Sequence, residues 1–315
     1  MNLRTNLKKK GAAMEELNKL DTEQRNAASA NIDLLSTEEM VRLINREDHR
    51  CAEAVALVLP EIARSVDLIE GQLRRGGRLF YAGAGTSGRL GVLDAAECPP
   101  TYGVSPDLVV GLIAGGPSAF LKAVEGAEDN PALGRQDLMD HHFSEKDALV
   151  GIAASGRTPY VLGAMDYARE LGAPVMALTC CRNSEMSRHA DVTMAPVPGP
   201  EVITGSSRMK SGTCQKLVLN MLSTCVMVKL GKVYGNLMVD VQATNHKLVS
   251  RAIRIVREAA GADEEEARKA LEQCGFSCKT AIVMLLLNVD AQKALQLLED
   301  SDGRIAQTLQ KNRGN

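Results

Sequence analysis

The sequence predicts an α/β protein, with a doubly wound parallel sheet flanked by helices and a small all-helical region after it. Five short runs of almost continuous apolar residues are typical of strands that are covered on both faces of a sheet. These runs are Arg78–Ala82, Leu108–Ala114, Ala148–Ala154, Val175–Thr179 and Val192–Val197. Helix-length segments lie between them, at Gly88–Ala96, Ser118–Glu128 and Thr158–Leu171. This alternation of strand and helix indicates a parallel sheet.

Composition narrows the classes of function. The 315 residues include 37 basic and 39 acidic side chains, a net charge of -2, so no nucleic acid is expected as a partner. Four Phe, five Tyr and no Trp argue against all-β sandwiches and base-stacking modules. The content of 45% hydrophobic and 24% charged residues is that of a globular protein and excludes disorder.

The cysteines, the histidines and the apolar segments of the sequence indicate where in the cell the protein is expected and whether it binds metal. The eight cysteines form no C-x-x-C pair and the five histidines are scattered, so we expect reduced thiols and no metal site. No apolar stretch follows the basic run Lys8–Lys10, and Leu217–Leu230 is shorter than the roughly 20 residues of a membrane span. We therefore expect a cytoplasmic protein with no membrane partner.

The N-terminal third is predicted to be an arm followed by helices. Residues 1–35 lack a strong periodicity and are polar enough for a mobile arm or lid. Ser36 and Glu39 form a capping box, which predicts the start of the first helix. Apolar residues spaced by three and four over Ala52–Leu73 predict a long amphipathic helix that Pro60 bends or splits.

The C-terminal third is predicted to be helical. Long helices are expected over Met209–Leu230 and Asn236–Ala260, and three or four short helices follow. The predicted domains are therefore an N-terminal arm at 1–35, an α/β domain with its flanking helices at 36–260, and a small helical tail domain at 261–315.

A glycine loop follows the first predicted strand and opens a helix. Its sequence, Gly83-Ala84-Gly85-Thr86-Ser87-Gly88, matches G-x-G-x-x-G, so a dinucleotide site is one interpretation. That site needs an acidic residue at the end of the second strand, where the sequence has none. The alternative is a compact phosphomonoester at the helix N-terminus, with donors from Gly85, Thr86 and Ser87.

Two further hydroxyl-rich segments repeat this chemistry, one after the third predicted strand and one before the long helix. Their candidate ligands are Ser155, Gly156, Arg157, Thr158, Ser206, Ser207 and Lys210. Turn chemistry alone explains one such loop. Three of them on a parallel-sheet pattern favour a sugar-phosphate site, because ligands bind beyond the carboxyl ends of such strands.

Acidic residues flank these loops. Glu97 is predicted at the end of the helix that starts at the glycine loop, where the helix dipole disfavours a carboxylate and Pro99-Pro100 stops the helix. Glu125 and Glu128 are predicted at the end of the next helix, three residues apart on one face. Solvated helix ends are the ordinary interpretation, and acid/base catalysis on a sugar is the alternative.

Five blocks of the sequence are long and specific: Ala82–Gly91, Asp94–Gly103, Gly151–Tyr160, Val202–Thr213 and Asn236–Val241. Together they resemble the N-acetylmuramic acid 6-phosphate etherase family, and the resemblance covers the chain from about Thr22 to the tail helices. It implies a sugar isomerase (SIS) domain with a five-stranded parallel sheet and a tail like a ubiquitin-associated (UBA) unit. It also implies a homodimer with sites near the subunit interface.

The resemblance implies an activity as well. The family cleaves the D-lactyl ether of N-acetylmuramic acid 6-phosphate to N-acetylglucosamine 6-phosphate and D-lactate, a lyase reaction of cell-wall amino-sugar recycling. Glu97 and Glu128 match the family's catalytic pair. In this chemistry Glu128 would take the C2 proton and Glu97 would act on the leaving lactate and the incoming water, or the roles would be reversed. No metal or organic cofactor is needed.

Two other functions stay open. SIS folds also support aldose-ketose isomerisation of a sugar phosphate, which begins with the same C2 proton removal but releases no lactate. A sugar-phosphate-sensing protein like the glucokinase regulatory protein is the third possibility. That protein needs a second SIS domain, for which 315 residues leave no room, and the presence of Glu97 argues against it.

Overall fold

A computed structural model describes residues 21–122, 124–241 and 246–312. The chain packs as two compact units. The first contains the residues up to Ala95 together with Asp107–Leu222, and the second contains Ala96–Pro106 with the residues from Ser223 onward. The domain limits predicted at 35/36 and 260/261 do not coincide with the limits of these two packing units, and they stay a prediction.

The first unit is built on the predicted parallel sheet. Its five strands are β1 Leu79–Gly83, β2 Val109–Ile113, β3 Ala148–Ile152, β4 Val175–Leu178 and β5 Val192–Met194. All neighbouring strands are parallel, in the order β2-β1-β3-β4-β5. Every residue of β1 and β3 is buried, which explains their continuous apolar sequence. The strand order reverses between β1 and β3, and open α/β sheets bind ligands at such a point.

Helices precede the sheet, cover it and follow it. They are α1 Thr37–Asp48, α2 Arg50–Ala56, α3 Leu59–Arg74, α4 Gly85–Tyr102, α5 Pro131–Asp140, α6 Pro159–Glu170 and α7 Lys210–Lys229. The predicted capping box is confirmed, because Ser36 and Glu39 exchange hydrogen bonds at the start of α1. The predicted split of the long helix is also confirmed: Pro60 lies in the first turn of α3, where its missing N–H costs nothing.

The helix predicted over Ser118–Glu128 is wrong. The described residues there form one 3-10 turn at Pro117–Phe120, followed by turns around Gly126, whose φ is +75°. The next helix, α5, begins only at Pro131, after Asn130 caps its N-terminus. Glu125 and Glu128 therefore lie on turns rather than on one face of a helix.

The predicted end of α4 before Pro99 is wrong as well. The helix continues through Pro99 and Pro100 to Tyr102. Both prolines lie in its last turn, where their absent N–H groups remove two of the helical hydrogen bonds. The helix then ends at Gly103, which adopts the left-handed conformation with φ +65°. Glu97 is therefore inside the helix and not at its end.

The second unit contains a hairpin and a helical core. The hairpin strands are β6 Val233–Tyr234 and β7 Leu237–Met238, and the helices are α8 His246–Ala260, α9 Glu264–Gln273, α10 Cys278–Leu287, α11 Ala291–Glu299 and α12 Ile305–Asn312. The four short tail helices are confirmed. The helix predicted to start at Asn236 is wrong, because Gly235 at φ +59° turns the hairpin there.

The core of this unit joins α8 to the tail helices through Val256, Leu271, Ile282 and Leu309. No single helix among the described residues is long and apolar enough to cross a membrane. Helices α9 and α10 reach that length and composition only as a pair bent by 116°.

The described part of the N-terminal arm is held on the first unit. Asn26 Nδ2 donates to Glu47 Oε2 at 2.7 Å and to Pro200 O at 3.1 Å. Ser29 Oγ donates to Val202 O at 2.7 Å. These buried hydrogen bonds fix residues 26–29 against the segment that leads to α7. Residues 1–20 of the predicted arm lie outside the described part of the chain.

A buried charge network surrounds the start of α7. Lys210 is 0% exposed, and its Nζ lies 2.6 Å from Glu47 Oε2. The carboxylate of Glu201, also 0% exposed, accepts the N–H groups of Lys210 and Ser211, each at 2.9 Å. Burial raises the pKa of Glu47, but hydrogen bonds from Lys210 and Asn26 outweigh burial and hold this pKa below 4.5. Protein groups thus satisfy the helix N-terminus and its buried charges.

Substitution of Lys210 tests this network. Lys210→Met leaves a buried carboxylate without its cation, so we expect a loss of about 3 kcal/mol in the free energy of unfolding, measured by urea denaturation. Because the lowered pKa of Glu47 stabilises the fold only while the carboxylate is charged, the loss should be greatest at neutral pH and above, and should shrink as the pH falls toward the folded-state pKa of the wild type.

The matched control is the double variant Glu47→Gln/Lys210→Met, which removes both charges. It should recover more than half of the lost stability. A Lys210→Met protein as stable as the wild type would show that Glu47 does not depend on Lys210.

Candidate active site

The glycine loop lies at the carboxyl end of β1, where the strand order reverses. A Cβ on Gly88 would lie 2.7 Å from the carbonyl oxygen of Gly83, so only glycine allows the loop to close this tightly. Helix α4 starts at Gly85, whose φ is +54°. The first N–H groups of a helix have no partner within it and carry its positive dipole. An anion at this loop would therefore be stabilised by these groups.

The two hydroxyls of this loop differ in their surroundings. Thr86 is half-buried, whereas Ser87 is 8% exposed and its Oγ donates to Gln215 Oε1 on α7 at 2.9 Å. The Nε2 of Gln215 is buried and has no hydrogen-bond partner among the described residues. Sequence reasoning missed Gln215, because no local pattern links it to a loop 128 residues earlier.

The loop after β3 carries the second set of predicted ligands. Gly156 is buried at φ +65° against Thr179 and Ser184, and its carbonyl accepts the N–H of Met186. Ser155 and Thr158 are half-buried, and Arg157 is exposed. The side chain of Thr158 makes no capping hydrogen bond at the start of α6, so its hydroxyl is available to a ligand.

The predicted ligands of the third segment differ in how accessible their side chains are. Ser206 and Ser207 are half-buried in the turns before α7. The ammonium group of Lys210 is enclosed with Glu47 and also donates to Pro198 O at 3.3 Å, so the structure does not bring it to the surface of the loops. The phosphate contacts of all ten predicted ligands stay a prediction.

A cavity of about 250 Å³ opens beside the glycine loop. Its lining includes Gly85, Arg89, Glu125 and Glu128. Glu128 is exposed, and its backbone carbonyl accepts the N–H of Tyr160 in the first turn of α6 at 3.0 Å. This hydrogen bond ties the Glu128 turn to the loop after β3. A carboxylate, a helix N-terminus and a second hydroxyl loop are thereby held on one unit.

Arg89 was missed as a member of this site. Its Nε donates to Phe120 O at 2.7 Å and its Nη2 donates to Ala119 O at 2.9 Å, so the guanidinium group fixes the turn beside the cavity. The sequence held a signal, because Arg89 directly follows the last glycine of the loop on the same helix.

Glu97, the other predicted catalytic carboxylate, is exposed on the part of α4 that belongs to the second unit. Its catalytic role stays a prediction, as does that of Glu128. Among the described residues, no group of three His, Cys, Asp or Glu side chains is placed to hold a metal ion.

Family models match most of this architecture. They are the glucokinase regulatory protein N-terminal SIS domain over residues 61–169, the SIS domain over 131–225, and the C-terminal lid domain of glucokinase regulatory protein over 235–279. A solved phosphoheptose isomerase from Francisella tularensis has a similar fold, with a TM-score of 0.50 and 18% identity, covering 62% of this chain and 100% of that one. The sheet and its loops define an SIS-domain protein.

Curated relatives are much more similar. An N-acetylmuramic acid 6-phosphate etherase of Aliivibrio fischeri (strain MJ11) is 62% identical over 294 residues, which cover 93% of this chain and 98% of that protein. The protein of the same name from Photorhabdus laumondii subsp. laumondii is 59% identical over 293 residues, covering 93% and 97%. The chain belongs to the N-acetylmuramic acid 6-phosphate etherase family.

Proposed function

We propose that this protein cleaves the D-lactyl ether of N-acetylmuramic acid 6-phosphate, giving N-acetylglucosamine 6-phosphate and D-lactate. The observation that carries the proposal is the placement of Glu128 in a cavity shared with the glycine loop, in a chain 62% identical to a protein named for this activity. The reaction belongs to cell-wall amino-sugar recycling.

The phosphate would bind at the hydroxyl loops. Thr86 adds a hydroxyl to the N–H groups of α4, and Ser155 and Thr158 add hydroxyls from the loop after β3. The hydroxyl of Ser87 would join them by turning its proton from Gln215 Oε1 to the phosphate. A phosphomonoester suits this arrangement, because a helix N-terminus favours a compact anion. Anchoring the phosphate at one end of the sugar positions the reacting carbons against the carboxylates, which raises the rate by proximity.

The chemistry requires two proton-transfer groups. Opening the sugar ring exposes an aldehyde that acidifies the C2 proton, and Glu128 removes this proton. A C2–C3 double bond forms as the C3–oxygen bond breaks, and Glu97 gives a proton to the leaving lactate oxygen. Water then adds to C3 and gives its proton to Glu97, while Glu128 returns a proton to C2. Overall, one molecule of the ether and one of water give one molecule of N-acetylglucosamine 6-phosphate and one of D-lactate.

The setting of this activity is part of the proposal. All eight cysteines are free thiols, which fits a reducing compartment such as the cytoplasm. The family resemblance supports a homodimer with sites near the subunit interface. Neither proton-transfer step needs a metal or an organic cofactor.

Reaction in isotopic water tests the proposed function. Wild-type protein incubated with N-acetylmuramic acid 6-phosphate in D₂O should release D-lactate and leave deuterium at C2 of the product. In H₂¹⁸O the label should appear on C3 and not in lactate, because elimination breaks the C3–oxygen bond. Enzymatic lactate assay and mass spectrometry measure both. Absence of lactate would refute the etherase, and a ketose product without lactate would favour an isomerase.

Substitution of the carboxylates tests their roles. Glu128→Gln and Glu97→Gln should each lower kcat by at least about 10²-fold with little change in substrate binding, because each removes a proton-transfer group. Asp129→Asn is the matched control, since Asp129 is exposed beside Glu128 and does not line the cavity. Only Glu128→Gln should suppress deuterium exchange at C2. Suppression by Glu97→Gln instead would reverse the two roles, and full activity of either variant would exclude that residue.

A further inference from the structure

The cavity beside the glycine loop is lined by a cationic side chain that the proposed mechanism does not use. The charged side chains in its described lining are Arg89, Glu125 and Glu128. Arg89 is thus the single cation in that described lining. Two carboxylates in the same cavity repel any further anion, so a negatively charged part of a ligand would be drawn toward Arg89.

The guanidinium group of Arg89 is fixed but not neutralised. Two of its five N–H donors bond to the carbonyl oxygens of Ala119 and Phe120. Within the described part of the chain it makes no ion pair with a carboxylate. The backbone of Arg89 is fixed in helix α4, and two carbonyl groups fix its guanidinium group. Little side-chain entropy therefore remains to be lost when the other N–H donors bind a ligand.

The substrate of the proposed function carries two anionic groups. The phosphate is assigned to the hydroxyl loops, which leaves the carboxylate of the lactyl group. That carboxylate is attached through the ether to C3, next to the C2 carbon that Glu128 deprotonates. A base for C2 and a ligand for the carboxylate must therefore lie close together, and Glu128 and Arg89 line one cavity of about 250 Å³.

We infer that Arg89 binds the D-lactyl carboxylate and selects the lactyl ether over sugar phosphates that lack it. The inference rests on the proposed function. A planar guanidinium group matches the two oxygens of a carboxylate in a paired geometry that lysine does not reproduce. The same contact offsets the repulsion between the substrate carboxylate and the two glutamates.

A cycle that changes both the residue and the substrate tests this inference. The substrates are N-acetylmuramic acid 6-phosphate and its lactyl carboxamide, and the proteins are wild type and Arg89→Met. The wild type should prefer the carboxylate by about 10- to 100-fold in kcat/KM, as for a charged hydrogen-bonded pair. Arg89→Met should reduce this preference to within about threefold. Intrinsic differences in leaving-group reactivity cancel in the comparison.

Inhibition by the product separates the carboxylate from the phosphate. N-acetylglucosamine 6-phosphate has the phosphate but no lactyl group, so its inhibition constant should change by less than about threefold in Arg89→Met. A parallel rise in this constant would mean that Arg89 binds the phosphate, and the inference would be wrong. An equal loss on both substrates, with the wild-type preference retained, would show that Arg89 only holds the turn at Ala119–Phe120.

Two further proteins complete the design. Arg89→Lys keeps the charge but not the paired geometry, so it should show an intermediate preference, and it serves if Arg89→Met does not fold. Arg42→Met is the matched control, because it removes an exposed arginine that pairs with Glu38, and its preference should equal that of the wild type. If the wild type releases no lactate, the proposed function fails and the inference fails with it. If lactate is released but Arg89→Met keeps the wild-type preference for the carboxylate substrate, the inference is wrong and the proposed function stands.

Discussion

The buried ion pair of Lys210 with Glu47 ties helix α1 to the start of α7 in the first unit. Together with the Glu201 carboxylate on the backbone of Lys210 and Ser211, it fixes the start of α7. Helix α7 in turn carries Gln215, which holds the hydroxyl of Ser87 in the glycine loop. A buried charge is costly unless it is paired and hydrogen-bonded, so this end of the helix has little freedom to move. The Ser87–Gln215 hydrogen bond joins this fixed helix to the candidate phosphate site.

The parallel sheet also constrains the position of the site, because the carboxyl ends of all its strands lie at one edge. The loops after β1 and β3 start side by side where the strand order reverses, and the carbonyl of Glu128 accepts a hydrogen bond from the first turn of α6. Residues far apart in sequence therefore share one face of the first unit. Arg89 and Glu128 supply opposite charges to the cavity that results, which suits a substrate that must be both held as an anion and deprotonated.

Local patterns predicted most of the fold. Buried apolar runs located all five strands, and the capping box at Ser36 and the proline at position 60 located helix starts. The failures share a cause, because glycines with positive φ decided them: Gly126 and Gly235 turn the chain where apolar spacing indicated helix, and Gly103 rather than Pro99 ends α4. In the candidate site, glycine and hydroxyl residues could be proposed from sequence because their chemistry is local, and their phosphate contacts stay a prediction. Gln215 and Glu201 were not found, and the burial of Lys210 against Glu47 was not foreseen, because their partners are set by tertiary contacts alone.

In the proposed reaction, phosphate binding at the glycine loop presents C2 of the sugar to Glu128. A crystal structure of the Glu128→Gln protein with N-acetylmuramic acid 6-phosphate bound would locate both groups. We expect the phosphate on the first N–H groups of α4 beside Thr86 and Ser87, and the side chain at position 128 within about 3.5 Å of C2. A phosphate bound away from this loop, or a C2 carbon out of reach of position 128, would show that this placement is wrong.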